Sequence, residues 1–531
     1  MKAYKKSKLM ALAIFAGVIT LMTASALAQM PDKTVTPNQA NEGINKSYTD
    51  QAGAGRGDVM TPNSSAFIIA RDPFRAVRRG RQLFQRKFTR LQGVGPLAGD
   101  GAGDIENTLA IGAGLTDSCA ACHGRPRGSA GVGGDVATRP DSRDAPHLFG
   151  LGLKEMLADE ITTDLRAIRA QAISEAQSRR RTITKQLVSK GIDFGQISAD
   201  RNGNVDTSGV KGVNPDLRVR PFFLHGGTIS IREFAVGAFN AEMGLKAVDP
   251  DLQAAIAGGR VVTPGGMVLD GSLDSIEAPP AIDINDDPDG DNVTNEVPQS
   301  IVDFMEFYLL HYFKPGLGEQ TPQTARGRRF FTDIGCASCH IPDLTINRDR
   351  RVADVETAFD PRRGNPFNRL FATATAFFTE VNDGSGHPTI KRARGGSFVV
   401  RNIFTDFKRH DLGPNFHERN YNGSMQTEFL TTPLWGVGTT APYGHDGRSI
   451  NLMEVILRHG GEAQAARNAF ARRSHADMAD ILAFLNSLVL FPPDDTASNL
   501  DPGNRNTPGY PQFGHGSIRL TVLFNNTTDI E

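Results

Sequence analysis

Little in this chain suits a nucleic acid, a membrane interior or a disulfide scaffold. Lys plus Arg number 58 against 59 Asp plus Glu. The basic surplus that phosphate binding demands is therefore missing. Beyond the N-terminus no apolar run approaches the ~18 residues of a membrane span. There is one tryptophan, and there are four cysteines in 531 residues. No phosphate loop, nucleophile elbow or metalloprotease motif occurs. The remainder is ordinary globular material. Hydrophobic residues make up 39%, too much for a disordered chain. At ~150 residues per domain the length suggests about three domains. Gly 56 and Pro 30 point to many loops.

Residues 1–28 read as a secretory signal peptide. Lys2, Lys5, Lys6 and Lys8 form a positive stretch, Leu9 to Met22 an apolar one, and Ala26-Leu27-Ala28 a small-residue cleavage site. An uncleaved anchor is the rival reading, and the run is short for it. The mature chain is expected to be exported to the periplasm, with no stable membrane span.

An exported chain can use its cysteines in disulfides, but the spacing argues otherwise. Cys119-Ala120-Ala121-Cys122-His123 and Cys336-Ala337-Ser338-Cys339-His340 are both C-x-x-C-H, the attachment signature of c-type haem. Two thiols three positions apart add to the two vinyl groups of one haem, and the adjacent histidine reaches the iron. A shared zinc site needs the two cysteine pairs to converge and does not need a histidine after each. Two covalent haems are the expectation.

Landmarks recur in the same order in the two halves. Gly80-Arg81-Gln82-Leu83-Phe84 precedes the first haem motif, and Gly327-Arg328-Arg329-Phe330-Phe331 the second. Pro146-His147-Leu148-Phe149-Gly150 follows the first, and Pro433-Leu434-Trp435-Gly436 the second. Pro221 to Phe234 aligns without gaps on Pro442 to Val455, at a constant offset of 221. Helical spacing of apolar residues covers 154–188, 229–243, 299–312, 323–334, 449–459 and 475–488. The expected fold is mainly α, with two cytochrome c-like haem domains related by duplication and joined by long loops. The expected divisions are a signal peptide (1–28), a linker (29–70), an N-terminal haem domain (71–280), a cation loop (281–298), a C-terminal haem domain (299–492) and a tail (493–531).

On these motifs the chain resembles the bacterial di-haem cytochrome c peroxidase superfamily. Within it, the chain is most similar to the di-haem oxidoreductase, thiol oxidoreductase-like branch. The matching stretches include Thr432 to Gly438, Tyr443-Gly444-His445-Asp446-Gly447-Arg448, His459-Gly460-Gly461-Glu462-Ala463 and Glu242-Met243-Gly244. The rubber oxygenases are distant relatives. The resemblance spans roughly 75–490 and implies a ligand set. About fourteen positions after His445 the peroxidases carry a distal methionine, and this chain has His459. The second haem is thus expected to be bound by His340 and His459, with a lower potential than a thioether would give. An alternative makes His459 a helix cap, and His410 and His445 compete as ligands. Trp435 is expected to pack on this second haem.

At the first haem the offset carries His459 onto Ala238, which cannot ligate iron, and the loop Gly131 to Arg143 holds no histidine. An open or water-bound iron is expected there, with Met243, His147 and His225 as other candidates. Glu242 matches the acidic residue of the peroxidase distal pocket, where it moves a proton between the oxygens of peroxide. A solvated helix-end carboxylate is the alternative. Phe234 stands where those peroxidases have glutamine, which makes the pocket more apolar.

Between the halves, Asn285, Asp287, Asp289, Asp291 and Glu296 follow EF-hand loop spacing. A shorter register from Asp287 to Asn295 fits equally, and a solvated acidic turn is the alternative. The superfamily's peroxidases hold a calcium between domains, though not with this loop. The expected function is an oxidoreductase that takes electrons from a small redox protein or another donor through the second haem and reduces hydrogen peroxide at the first. Oxygenation of an apolar substrate with dioxygen and non-catalytic electron carriage are the other readings.

Overall fold

The computed structural model describes residues 47–95, 116–124, 130–132, 135–136, 143–312, 316–359, 370–420 and 423–490. The expected signal peptide, the first part of the linker, most of the Gly131 to Arg143 loop and the tail lie outside the described residues.

Helix Pro73–Gln85 opens on proline, whose missing N–H costs nothing in a first turn. It crosses helix Gln299–His311 at Gly80, where a Cβ would sit 2.3 Å from the Phe304 carbonyl oxygen. Helix Pro322–Asp333 also opens on proline and crosses helix His475–Asn486 at Gly327. A Cβ there would meet the Asp480 carbonyl oxygen at 1.9 Å. The two glycines are the matched glycines of the repeat, so one close crossing is built twice.

A second unit also recurs. Helix Ile231–Met243 is capped by Ser230 Oγ, which accepts from Glu233 N, while Glu233 Oε2 accepts from Ser230 N. Exactly 221 positions later, Asn451 Oδ1 accepts from Glu454 N at the start of helix Leu452–Arg458. The small antiparallel bridge ahead of each helix repeats too, Phe222 with Thr228 and Tyr443 with Ser449.

The mainly α expectation is wrong. Of the described residues 37% are helix and 18% strand, in several small sheets. The predicted helix over 154–188 starts at Leu151 and stops at Arg179. Beyond it Ile183–Ser189 and Ile192–Ala199 form a hairpin, to which Val205–Asp206 adds a third strand. β-branched Ile183, Thr184 and Val188 favour strand. Lys190 and Gly191, both at positive φ, make the two-residue turn between them. The Gly/Asn/Asp-rich stretch 344–430, which its sequence marks as loop with at most short strands, holds further two-stranded ladders. Leu344–Ile346 pairs with Phe398–Val400, and Arg409–Asp411 with Glu428–Leu430. Each is two to seven residues long, too short for alternation to stand out from loop.

Three apolar clusters hold these elements. The first joins Phe74, Phe84, Phe239, Ile301, Phe304 and Tyr308. Helix Gln299–His311 therefore packs with the N-terminal core, although the expected boundary assigned it to the C-terminal half. The second cluster seats the long helix Leu151–Arg179 on its sheet and includes Trp435. The third gathers Phe331, Phe404, Phe470, Ile481 and Phe484.

Buried charge then fixes helix Ile231–Met243. The Arg232 guanidinium, fully buried, reaches Asp249 at 2.9 Å, Asp303 at 2.9 Å and Glu306 at 2.8 Å. Glu155 of the long helix accepts the Ile231 N–H at 2.7 Å. The helix cannot slide without stranding these groups, which makes it a rigid wall.

Candidate haem sites

The first C-x-x-C-H motif is itself a short helix, Cys119–His123, which puts both thiols and the imidazole at one place. These three side chains line a cavity of about 270 Å³. Its walls are apolar: Phe84, Phe149, Phe222, Phe223, Phe234, Phe239, Met243 and Trp435. Ala238 and Glu242 of the rigid helix face the same space, with Asp144, His147, Lys154 and His225.

His123 Nδ1 lies 2.7 Å from the Pro146 carbonyl oxygen. A carbonyl only accepts, so Nδ1 carries the hydrogen and Nε2 keeps its lone pair for a metal. Burial pushes this imidazole down to about 4, so it is neutral at pH 7, as a ligand must be. Burial lifts the Cys119 thiol to about 12. Cys122 is also raised, by burial and then by the charge of Glu242. An uncharged thioether suits this setting better than a thiolate does.

The second motif repeats the arrangement. His340 Nδ1 donates to the Phe404 carbonyl at 3.1 Å, and His459 Nδ1 to the Val455 carbonyl at 2.7 Å. Burial pushes His340 down to about 4, and His459 lies near enough for its charge to push the same way. Burial lowers His459 as well. Two neighbouring imidazoles with Nδ1 bonded to carbonyls keep both Nε2 lone pairs, a pair that could hold one iron from two sides. His459 also ends helix Leu452–Arg458, so the cap position and ligation are compatible. Phe416 stands edge-on to His459 at 5.2 Å.

At the second motif the competing ligands are engaged elsewhere. His410 Nδ1 is 2.8 Å from Glu462 and Nε2 is 2.9 Å from Asp406. Burial opposes its charge, yet these partners and Cys339 lift it to about 11. His445 stacks on Phe429 at 4.0 Å and pairs with Glu418. Near the first motif, His147 Nε2 meets the Trp435 carbonyl at 3.1 Å, while its buried Nδ1 has no partner. Burial, followed by the Lys154 charge, pushes His147 down to about 3. His225 stacks on Phe223, and Met243 is buried in the first core.

Trp435, expected at the second haem, lines the first cavity instead, with its ring against Gly150. The cause is a strip of chain that faces both sites. The Phe404 carbonyl holds His340 while Thr405, the next residue, lines the first cavity. Lys154 escaped sequence reasoning. Burial pulls its ammonium down to about 8, and it sits 5.6 Å above the Phe222 ring. The available signal was a lone cation in the apolar start of a helix.

In the intervening loop, Asp287, Asp289 and Asp291 converge, with carboxylate oxygens within 4.8 Å of one another. The Asn285 amide N–H donates to Asp283 at 2.7 Å. Glu296 lies buried nearby.

The donor sets fit two haems. Residues 367–488 match the family described as "Di-haem oxidoreductase, putative peroxidase". This match shows the resemblance read from the motifs, and it implies haem cofactors. A solved structure of Kuenenia stuttgartiensis hydrazine synthase, pressurised with xenon, covers 86% of this chain and 98% of its own. Its identity is 12% and its TM-score 0.33, and at that score it carries no argument. No curated protein matches the chain. Among the described residues no helix is long and apolar enough to cross a membrane.

Proposed function

We propose that the protein is an exported di-haem c-type oxidoreductase that reduces hydrogen peroxide at the site of Cys119, Cys122 and His123. The observation that carries this reading is Ala238. It stands one repeat from His459 and lines the cavity of His123, so the position that supplies a second imidazole at one site supplies a methyl group at the other.

Bound haems would supply electron storage and, at the cavity, an iron able to take an oxygen species. The chain does the rest. His123 and His340 spend Nδ1 on carbonyls, which fixes ring orientation and raises Nε2 basicity. The phenylalanine walls keep water from competing at the cavity. Glu242 takes a proton from one peroxide oxygen and returns it to the departing one, so that water leaves rather than hydroxide. Electrons enter from a small redox protein or another donor at the His340 and His459 side. The Phe404-Thr405 strip and Trp435 shorten the path between the sites.

Electron paramagnetic resonance of the oxidised protein tests this, together with peroxide turnover under a reduced donor. One high-spin and one low-spin iron with turnover is the expected result. Two low-spin irons at every poise, with no turnover, overturn it and leave an electron carrier. A second reading rests on Phe234, which meets Phe222 and Phe223 at ring-centroid distances of 5.9 and 5.5 Å. That apolar corner suits a hydrocarbon substrate and dioxygen. Oxygen uptake that depends on an added polyisoprenoid would favour it.

A further inference from the structure

The Asp287–Asp291 loop lies outside the haem sites, and two features separate it from a solvated acidic turn. The Asp289 side chain is 4% exposed, and both its carboxylate oxygens are buried without a hydrogen bond. Glu296 is 2% exposed, and its Oε1 is likewise buried and unpartnered while Oε2 accepts the Lys246 N–H at 2.7 Å. The cation near Asp289 is Lys246, whose Nζ stands 3.6 Å away and also bonds Asn240 at 3.0 Å. Buried carboxylates left this way are costly.

The geometry explains the arrangement if an ion belongs there. Calcium binds oxygens at roughly 2.3–2.6 Å, so donors on opposite sides of one ion are about 5 Å apart. The three aspartates fall inside that ceiling, with one oxygen of each within 4.8 Å of the others. The backbone has already curled to present them. Asp287 accepts N–H groups from Gly290, Asp291 and Asn292 at 2.8, 3.1 and 3.0 Å. Gly290 and Asn292 lie at positive φ. An all-oxygen, carboxylate-rich and irregular donor set suits calcium better than magnesium, which demands a strict octahedron.

We propose that Asp287, Asp289 and Asp291, closed by Glu296, bind one calcium ion that braces the end of the cavity helix. The brace runs through Lys246. Its N–H is held by Glu296, its ammonium by Asn240 of helix Ile231–Met243, and its carbonyl by the Val297 N–H at 3.2 Å. Ala247 pairs with Val297 and Val248 with Ala281. The ion thereby locks the chain that leaves the helix carrying Ala238 and Glu242. The ion site stands whether or not the peroxidase reading does.

Calcium titration of the chelator-stripped full holoprotein, followed by calorimetry, tests the site. One ion per chain is expected, with Asp289→Asn and the more exposed Asp291→Asn each weakening binding at least tenfold and Asn285→Ala leaving it unchanged. Absence of binding to folded protein overturns the site, magnesium binding as tightly as calcium overturns the choice of ion, and a tenfold loss with Asn285→Ala overturns the ligand set. Hydrogen exchange reads the brace. Calcium should slow the amides of Lys246 and Val297 at least tenfold in the wild type and not in Asp289→Asn, and unchanged exchange overturns it.

Discussion

Glu242 and Asp144 are the carboxylates on the cavity wall, and Glu242 stands on the helix that buried Arg232 holds rigid. If Glu242 carries the proton as proposed, Glu242→Gln keeps the shape and removes the function. Peroxide turnover should fall about 10²-fold or more, with the resonance spectrum of both irons unchanged. Turnover equal to wild type would assign the proton transfer elsewhere. A second residue-level prediction concerns His311, which lies outside both haem sites. Its Nδ1 donates to the Phe307 carbonyl at 2.8 Å and its Nε2 accepts the Val352 N–H at 3.0 Å. Burial pushes it down to about 4 from an ordinary 6.5. The folded state thus favours the neutral ring, and the unfolded chain binds more protons between these values. His311 contributes stability that is complete above pH 6.5 and lost as pH falls toward 4, amounting to roughly 3 kcal/mol. Denaturant titrations at pH 7 and pH 4.5 should show His311→Gln, which keeps a donor and an acceptor without titrating, losing less stability than wild type does. An equal loss in both proteins would mean that His311 does not set the acid limit.

At the scale of elements, the close helix crossings make the sharpest prediction. Gly327→Ala places a methyl group 1.9 Å from a backbone oxygen. Backbone, unlike a long side chain, cannot swing away, so the helices must part. The expected cost is about 1–3 kcal/mol, as is typical of overpacking, read from the denaturation midpoint at constant slope. A neutral substitution would mean that the helices are less tightly crossed than described. The repeat behind these crossings was legible in the sequence as G-R-x-x-F, whereas the caps at Ser230 and Asn451 came only with the structure. Long amphipathic helices announce themselves by period. The hairpin over 183–199 did not, because the apolar spacing of the preceding helix runs on into it as far as 188, and over 344–430 strands of a few residues stand out little from loop. The histidine donor sets were half legible. C-x-x-C-H named His123 and His340, and the resemblance named His459. The carbonyls that orient their rings come from residues 23 and 64 positions away at the motif histidines, which no local pattern records. Trp435 was misplaced for the same reason, since only tertiary packing says which cavity a strip between two sites will face.

Over the whole molecule, one repeated unit has been specialised by what each copy carries at one position. The unit is a bridged turn, a capped helix and a nearby haem motif. In the second copy the helix stops at Arg458 and His459 caps it near His340, and in the first the helix runs on to Met243 and carries Ala238 on its cavity side. If that difference sets the division of labour, then Ala238→His should erase it. The helix is fixed at Arg232 and at its cap, so an imidazole at 238 enters the cavity without moving the wall. The high-spin signal should convert to low-spin, peroxide turnover should drop at least a hundredfold, and the spectrum of the His340 and His459 site should stay as it was. Ala238→Leu fills similar space with no donor atom. It should slow turnover by crowding while leaving the iron high-spin, which separates ligation from bulk. A variant histidine that left spin state and turnover unchanged would mean that position 238 does not face the iron, and that the asymmetry between the two sites has another origin.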